Sequence, residues 1–468
     1  MCYARGAPTL VQFKPSLNPA RTRFKKITNS AKTEFCVCLP IYAKVSQCFY
    51  FIMDNQAQQP LLTTDEALNF VLDSVVPSSK TYVCSLDDAL TQVLAQNVHS
   101  SINVPSFDNT AVDGYAVHLQ PEQINTPGTF SFKITDRIPA GSIGKTLEVG
   151  CAARIFTGAP IPAGANSVIM QEDCERSKQG DYIETWRPIL LNENIRPLAD
   201  DIAKGSMILR TGKQLKPEDI ALTASIGMAE LKVFQPIKVG VFFTGDELVE
   251  PGKPLNDGEI FNSNRYALVA LLKQLGCVVV NLGNIKDTLK ATTKALTKLS
   301  TECDLIITTG GVSVGEEDYV KPAVEQLGEL SLWRIRMKPG RPLAFGKIDK
   351  AIFIGLPGNP VSVMVTFFLF AQPLIKKMQG RAQYKNQTLP IQCNFDWRKP
   401  RARREFVRVQ LDTGTLPPTA SLYPKQNSNV LSSMVWADGL VEIPENFTFG
   451  KGEVLNYYSL NKESTNYL

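Results

Sequence analysis

No two of the ten cysteines in this 468-residue chain stand at the spacing of a zinc site or a disulfide framework. Cys2, Cys36, Cys38 and Cys48 crowd into the first 52 residues, and the other six are scattered. Cys36 and Cys38 are one residue apart, closer than the usual two-residue ligand spacing. Neither structural zinc nor a small secreted scaffold fits, and reduced thiols in the cytoplasm are the expectation. The chain also lacks an uninterrupted apolar span: Phe35 to Met53 is broken by Pro40 and Lys44, so no membrane partner is expected. Low-complexity tracts and sustained repeats are missing too.

A spread of positive charge is missing as well. The first 52 residues hold eight Lys/Arg and one Glu, contribute +7 to the net charge of +5, and leave the remainder at −2. The excess is therefore not laid along a folded face, and no nucleic-acid partner is expected. The leader does not show the compact charged, apolar and small-residue order of a secretory signal. Its Arg-rich, acid-poor composition fits an organelle transit peptide, but no amphipathic helical stripe supports that. The preferred reading sets residues 1–52 outside the fold, with Met53 opening the protein proper.

Length implies three or four domains. Thr63-Thr-Asp-Glu66 reads as a capping box, with Ala67, Leu68, Val71 and Leu72 at helical spacing behind it. A strand is expected over Tyr82–Leu86 and a helix from Asp87 to about Gln96. Short apolar runs broken by Pro and Gly follow, the texture of a β-rich module. From Pro236 the pattern changes in kind. Strands are expected at Lys238–Phe243, Cys277–Leu282, Asp304–Thr309, Trp333–Met337 and Ala351–Ile354, with helices at Asn264–Leu275, Thr288–Leu299, Asp318–Leu327 and Val361–Met378. This alternation implies a parallel sheet covered on both faces. The expected fold is thus a multidomain α/β protein: a discontinuous N-terminal domain (53–107 and 196–235), an inserted β module (108–195), a central parallel α/β domain (236–380) and a C-terminal β domain (381–468).

In such a sheet, ligands bind beyond the carboxyl ends of the strands. Five expected ends carry polar or glycine-rich loops: Thr244-Gly-Asp246-Glu247; Asn284 and Asp287; Gly310-Gly-Val-Ser313-Val-Gly315-Glu-Glu-Asp318; Lys338-Pro-Gly-Arg341-Pro342; and Pro357-Gly-Asn359-Pro360. Gly310, Gly311 and Gly315 around Ser313 let backbone N–H groups approach an anion, although no Gly-Lys-Ser/Thr of a phosphate loop follows. Asp246 and Asp287 have the chemistry to hold Mg²⁺ on phosphate oxygens, and Lys338 and Arg341 offer fixed positive charge to an oxyanion. Singly, each has a plainer reading: a tight turn for Gly310-Gly311, a helix cap for Asp246, a solvated charge for Lys338. The functional case rests on their convergence.

The motifs together resemble the molybdopterin molybdenumtransferase family. They are Val104-Pro-Ser-Phe-Asp-Asn-Thr-Ala-Val-Asp113-Gly-Tyr-Ala116, Phe156-Thr157-Gly-Ala-Pro-Ile-Pro162, Thr244-Gly-Asp246-Glu-Leu248, Gly310-Gly-Val-Ser-Val-Gly315, Lys338-Pro-Gly-Arg-Pro342 and Gly355-Leu-Pro-Gly-Asn-Pro-Val-Ser362. The resemblance runs in order from Leu61 to the C-terminus. It implies an elongated homodimer with the active site shared between subunits, and a reaction that takes adenylyl-molybdopterin and molybdate to molybdenum cofactor and AMP with Mg²⁺ assisting. It implies functional positions at Asp113, Thr157, Asp201, Asp219, Asp246 and Asp287, with Pro339 and Pro342 shaping the adjacent loop. The Gly310–Gly315 loop would hold the terminal phosphate of the pterin. Lys338 and Arg341 would gather molybdate, with Ser362 nearby and Arg408 and Ser432 from the tail domain. A contact with the molybdopterin adenylyltransferase is a further implied partner, while His99 and His118 are expected to be structural. Arg341 stands where Lys is common in the family, and Asp219 where relatives carry Glu. Two alternatives remain open: adenylyl transfer onto molybdopterin, and a non-catalytic dimeric scaffold.

Overall fold

The computed structural model describes residues 61–312 and 318–460. The basic leader, and with it the reading of Met53, lies outside the described residues, as do Ser313 and Gly315. The first helix, Thr64–Asp73, begins at the expected capping box: Glu66 N–H donates to Thr63 Oγ1 (3.2 Å), and Thr63 N–H donates to Glu66 Oε2 (2.8 Å). Its buried Ala67 and Val71 join the core of the central sheet, where Phe70 meets Phe345 edge-on at 6.1 Å.

The segments on either side of the inserted module pair with each other. Thr81–Ser85 runs antiparallel to Glu230–Phe234, and Val98–His99 to Met207–Leu209. The helix expected from Asp87 to about Gln96 is not formed. There the backbone groups are taken by partners far along the chain: Thr91 N–H donates to Leu215 O, Leu94 N–H to Lys213 O and Ala95 N–H to Lys232 O, while Phe234 N–H donates to Val93 O. Thr91 sits at φ 66° and Leu94 is fully buried. Tertiary hydrogen bonding and burial override a helical pattern less than three turns long. Beyond it, the inserted module is a six-stranded sheet in the order 167–170, 114–117, 151–155, 130–138, 182–185, 175–176.

Central strands are labelled β1 (Lys238–Thr244), β2 (Val278–Ile285), β3 (Leu305–Thr309), β4 (Gly328–Arg334), β5 (Pro342–Ile348) and β6 (Ala351–Leu356), in the spatial order β2-β1-β3-β6-β5-β4. Helices Ser263–Gln274 and Leu289–Glu302 start where their caps predict. Asn262 Oδ1 accepts from Arg265 N–H (3.0 Å), and Thr288 Oγ1 accepts from Ala291 N–H (3.3 Å). β1, β2, β3 and β6 are parallel, but β5 is antiparallel to both β6 and β4. The parallel sheet expected throughout is therefore corrected: β5 was not foreseen, and the fourth expected strand lies earlier, at 328–334. The reason is connection length. Only residues 335–341 join β4 to β5, and Asp349-Lys350 joins β5 to β6 with Asp349 at φ 50°, whereas a parallel crossover needs a dozen or more residues.

Pro360–Met378 forms a 19-residue helical stretch, apolar enough to cross a membrane by length and composition, yet 78% of its apolar window is buried in this protein's own core. Its middle, Phe367–Ala371, is a π segment. Pro373 has no N–H to give to the Phe368 carbonyl five residues back, and Asn386 Nδ2 supplies that bond at 2.7 Å. The tail forms a closed five-stranded ring from Leu389–Cys393, Arg404–Asp412, Thr419–Leu422, Gly439–Ile443 and Val454–Ser459. A two-residue strand, Met337–Lys338, leaves the central module and pairs with Arg404 and Glu405 of that ring.

Candidate active site at the carboxyl rim of the central sheet

Because β4 runs antiparallel to β5 and β5 antiparallel to β6, β4 points the same way as β6. The carboxyl ends of β1, β2, β3, β4 and β6 therefore share one edge, and the loops that follow them meet there. Thr244, 8% exposed at the end of β1, donates from its hydroxyl to Asp287 Oδ1 at 2.6 Å. That bond ties the loop carrying Asp246 to the loop after β2, in line with the strand register Thr244↔Ile285. Asp246 itself is exposed. Gly310 N–H donates to Leu356 O (3.1 Å), joining the ends of β3 and β6.

Glycine makes this junction possible. Gly310 and Gly311 lie at φ 82° and 66°, in the left-handed region. A Cβ on Gly311 would come within 2.5 Å of Val320 Cγ2 and 3.2 Å of Asp318 Oδ1. One on Gly358 would lie 3.8 Å from Gly310 Cα, so the two glycine turns nearly touch. Asn264 Nδ2 donates to Gly358 O (2.7 Å) and fixes the second turn.

The Lys338–Pro342 loop follows β4, at the far end of the strand order, on the same rim. Lys338 Nζ lies 3.5 Å from Glu405 Oε1, a carboxylate also 3.7 Å from Arg401 Nε, and Lys338–Pro339 is cis. A Cβ on Gly340 would stand 2.3 Å from Thr366 Cγ2 and 3.7 Å from Ser362 O, which seats this loop on the helix opening at Pro360. The Arg341 side chain is exposed and makes no ion pair among the described residues. Ser362 is buried.

Arg408 departs from its expected place. It is 1% exposed, on the strand face opposite Val407 and Val409, which line the barrel core, and the 425–433 segment covers it, with Nε donating to Ser433 Oγ (3.0 Å) and Nη2 to Asn427 O (3.1 Å) and, more weakly, Lys425 O (3.4 Å). Burial lowers its pKa to about 10. It is an internal brace, not a solvent-facing cation, and the loop it braces reaches the rim through Ser428 O, which accepts from Val361 N–H at 3.0 Å. Ser432 is exposed beside Tyr423, hydroxyl to hydroxyl at 3.3 Å.

The remaining acids stand elsewhere. Asp219 is 3% exposed and anchors the helix Pro217–Ser225: Oδ1 accepts from Lys213 Nζ (2.5 Å) and Oδ2 from Lys216 N–H (3.1 Å). Asp201 is exposed, with its N–H on Val104 O (3.0 Å). Asp113 and Thr157 meet in the inserted module. Asp113 Oδ1 accepts from Thr157 N–H (2.8 Å) and Thr157 Oγ1 (2.7 Å). Those bonds, backbone first, hold the Asp113 carboxyl below the ordinary carboxylate range, and Arg154 helps.

The chain that carries this rim also matches known proteins of one kind. Three family models match: MoeA N-terminal region (domain I and II) over residues 62–227, probable molybdopterin binding domain over 240–377, and MoeA C-terminal region (domain IV) over 390–460. A molybdopterin molybdenumtransferase of Haemophilus influenzae is 43% identical over 69% of this chain and 80% of its own length. The chain belongs to the molybdopterin molybdenumtransferase (MoeA) family. Its relative of that name in Nostoc is 38% identical over 65% of this chain and 70% of its own length. The crystal structure of a molybdopterin biosynthesis MoeA protein from Pyrococcus horikoshii superposes with a TM-score of 0.74 at 29% identity, covering 86% of this chain and 100% of that one.

Within this MoeA-family chain, sequence reasoning passed over Thr244 and Asn264 as site residues. The signal for Thr244 was its place as the last residue of a buried strand, one step before Gly245. For Asn264 no local pattern points to Gly358, 94 residues away.

Proposed function

We propose that this chain is a molybdenumtransferase, as the names of its relatives suggest, and that it inserts molybdate into adenylyl-molybdopterin with release of AMP. The observation that carries the reading is the convergence of Asp246, Asp287, the Gly310–Gly311 turn and the Lys338–Arg341 loop on one sheet edge. In this reading the glycine turn, with Ser313 and Gly315 beyond it, receives the terminal phosphate of the pterin; Gly310 spends its N–H on Leu356 O, so the donors to the anion come from Gly311 onward. Lys338 and Arg341, shaped by Pro339 and Pro342, hold the tetrahedral oxyanion. Ser432 is the tail's contribution, and Arg408 acts through the loop it braces.

Asp246 and Asp287 fit a magnesium ion: two hard oxygen donors beside a phosphate turn are the donor set that Mg²⁺ shares with phosphate oxygens. The ion would neutralise charge on the anhydride as AMP departs. Thr244, by donating to Asp287, orients that carboxylate while leaving its other oxygen for a ligand.

The pair Asp113–Thr157 has all its hydrogen-bond partners within the inserted module, and a homodimer that lays this module over the partner's rim would complete the site. Exposed Leu255, Ile260 and Phe261, beside the Asp246 loop, support an apolar interface there. A reducing cytoplasm suits the six free thiols of the described residues. A contact with the molybdopterin adenylyltransferase that supplies substrate belongs to the same proposal.

The test is a reaction of purified protein with adenylyl-molybdopterin, Mg²⁺ and molybdate. AMP release that requires molybdate supports the proposal. Release indifferent to molybdate, or adenylylation from ATP and molybdopterin, replaces it with the adenylyltransferase reading. Binding without turnover leaves a scaffold.

A further inference from the structure

The inserted sheet carries an arginine that lies outside every motif named above. Arg154 sits on the strand Cys151–Ile155, opposite Tyr115. Its Nη1 donates to Gly114 O (3.1 Å) and its Nη2 to Gln171 Oε1 (2.5 Å). Its guanidinium carbon lies 5.1 Å from the centroid of Tyr115 and 4.7 Å from that of Phe156. These contacts fall on the immediate neighbours of two residues. Gly114 follows Asp113, Phe156 precedes Thr157, and Gln171 N–H donates to the Asp113 carbonyl at 3.1 Å. One side chain thus grips the chain on both sides of the Asp113–Thr157 contact. Its planar fork and stacking face are both in use, which a lysine cannot reproduce.

We propose that Arg154 is a positioning residue that sets the Asp113–Thr157 pair, and so the orientation in which that pair meets the adenylylated substrate. This rests on the reading that the pair is part of the reacting machinery. The charged groups around Asp113 are Arg154 itself, Glu172 on the turn Gln171–Asp173, which is electrostatically coupled to Asp113, and Arg137 on the strand Phe130–Ile138, whose guanidinium carbon lies 4.7 Å from the Phe156 centroid. Removing Arg154 takes away a cation that favours the ionised carboxylate. The carboxyl then gains its proton at a higher pH, so the acidic limb of the activity profile moves up.

The experiment measures molybdate-dependent AMP release across pH for R154M, R154K and D113N, with thermal melts of each. We expect R154M to stay folded and lose about a hundredfold in kcat with KM little changed, the scale of a small misplacement of a reacting group. Its acidic limb should shift upward. R154K should bring the limb back and restore only part of kcat. Wild-type kcat and an unmoved limb in R154M, beside an inactive D113N, overturn the proposal. If R154M does not fold, wild-type kcat in R154K overturns it equally. Full activity in D113N instead removes the underlying role of the pair, whatever Arg154 does.

Discussion

Replacing Arg408 by methionine separates a brace from a ligand. The side chain is 1% exposed and its guanidinium bonds Ser433 Oγ, Asn427 O and Lys425 O. Methionine fills similar space but donates nothing. Ser433 Oγ keeps its own bond to Val430 O (2.6 Å), so the loss falls on the two carbonyls. A buried acceptor left without a donor costs about 1–3 kcal/mol, but Lys425 and Asn427 are exposed and Asn427 O keeps a long bond from Val430 N–H (3.4 Å), so the cost here lies at the low end. The 3.4 Å bond to Lys425 O is long and counts for less. Against this, the variant no longer buries a cation whose desolvation already lowers its pKa to about 10. The net expectation is a loss of about 1 kcal/mol in R408M, with R408K between it and wild type. Urea melts give the stability, and AMP release titrated with molybdate gives the function. R408M should lose stability and kcat, because the 425–430 loop touches the rim, while its half-saturating molybdate stays close to wild type. A large rise in that concentration with an unchanged melt would refute the brace and return Arg408 to the oxyanion site.

Three further outcomes follow from the geometry. G310A and G311A both place an alanine at positive φ, costing about 1–2 kcal/mol, but only G311A drives a Cβ to 2.5 Å from Val320 Cγ2, so its melt should fall further by about 1–3 kcal/mol; equal melts would show that the helix at Val320 moves freely. N386A strands the Phe368 carbonyl opposite Pro373 and should cost about 1–3 kcal/mol in urea unfolding, whereas a neutral result means water reaches the π segment. Glu66, held below the ordinary carboxylate range by its bonds from Thr63, stabilises its helix above the unfolded carboxyl pKa and loses that contribution as pH falls through the folded value. The stability gap between wild type and E66Q should therefore be present at neutral pH and close in acid, as followed by circular dichroism; a gap that is constant with pH would contradict the capping box.

Helix starts were legible because their determinants are local. Thr63 with Glu66, Asn262 and Thr288 each sit within three residues of the N–H they cap. So were β1, β3 and β6, buried runs bounded by turns. The strand loops could be assigned to one rim because chain direction in an α/β sheet follows from the connections. Where sequence reasoning failed, the deciding partner was remote. Residues 87–96 read as helical until their backbone groups are seen to bond Lys213, Leu215 and Lys232. β4 and β5 needed attention to the seven residues between them, too few for a crossover. Arg408 carries a charge that suits an oxyanion in a sequence, but only the structure shows the segment 425–433 folded over its guanidinium. For Asp219 the missing information was Lys213, six positions back, whose exposed side chain pairs with the buried carboxylate.

The segment from Met337 to Pro342 is stitched into two sheets at once. Its first two residues pair with Arg404 and Glu405 of the barrel, and its last pairs with Arg334 of the central sheet. Any swing of the barrel against the central module would drag Lys338 one way while Pro342 stayed behind. The tail therefore cannot act as a loose flap over the rim. It travels with the loop it holds, so a shear between the two bodies would be felt first by Lys338 and Arg341.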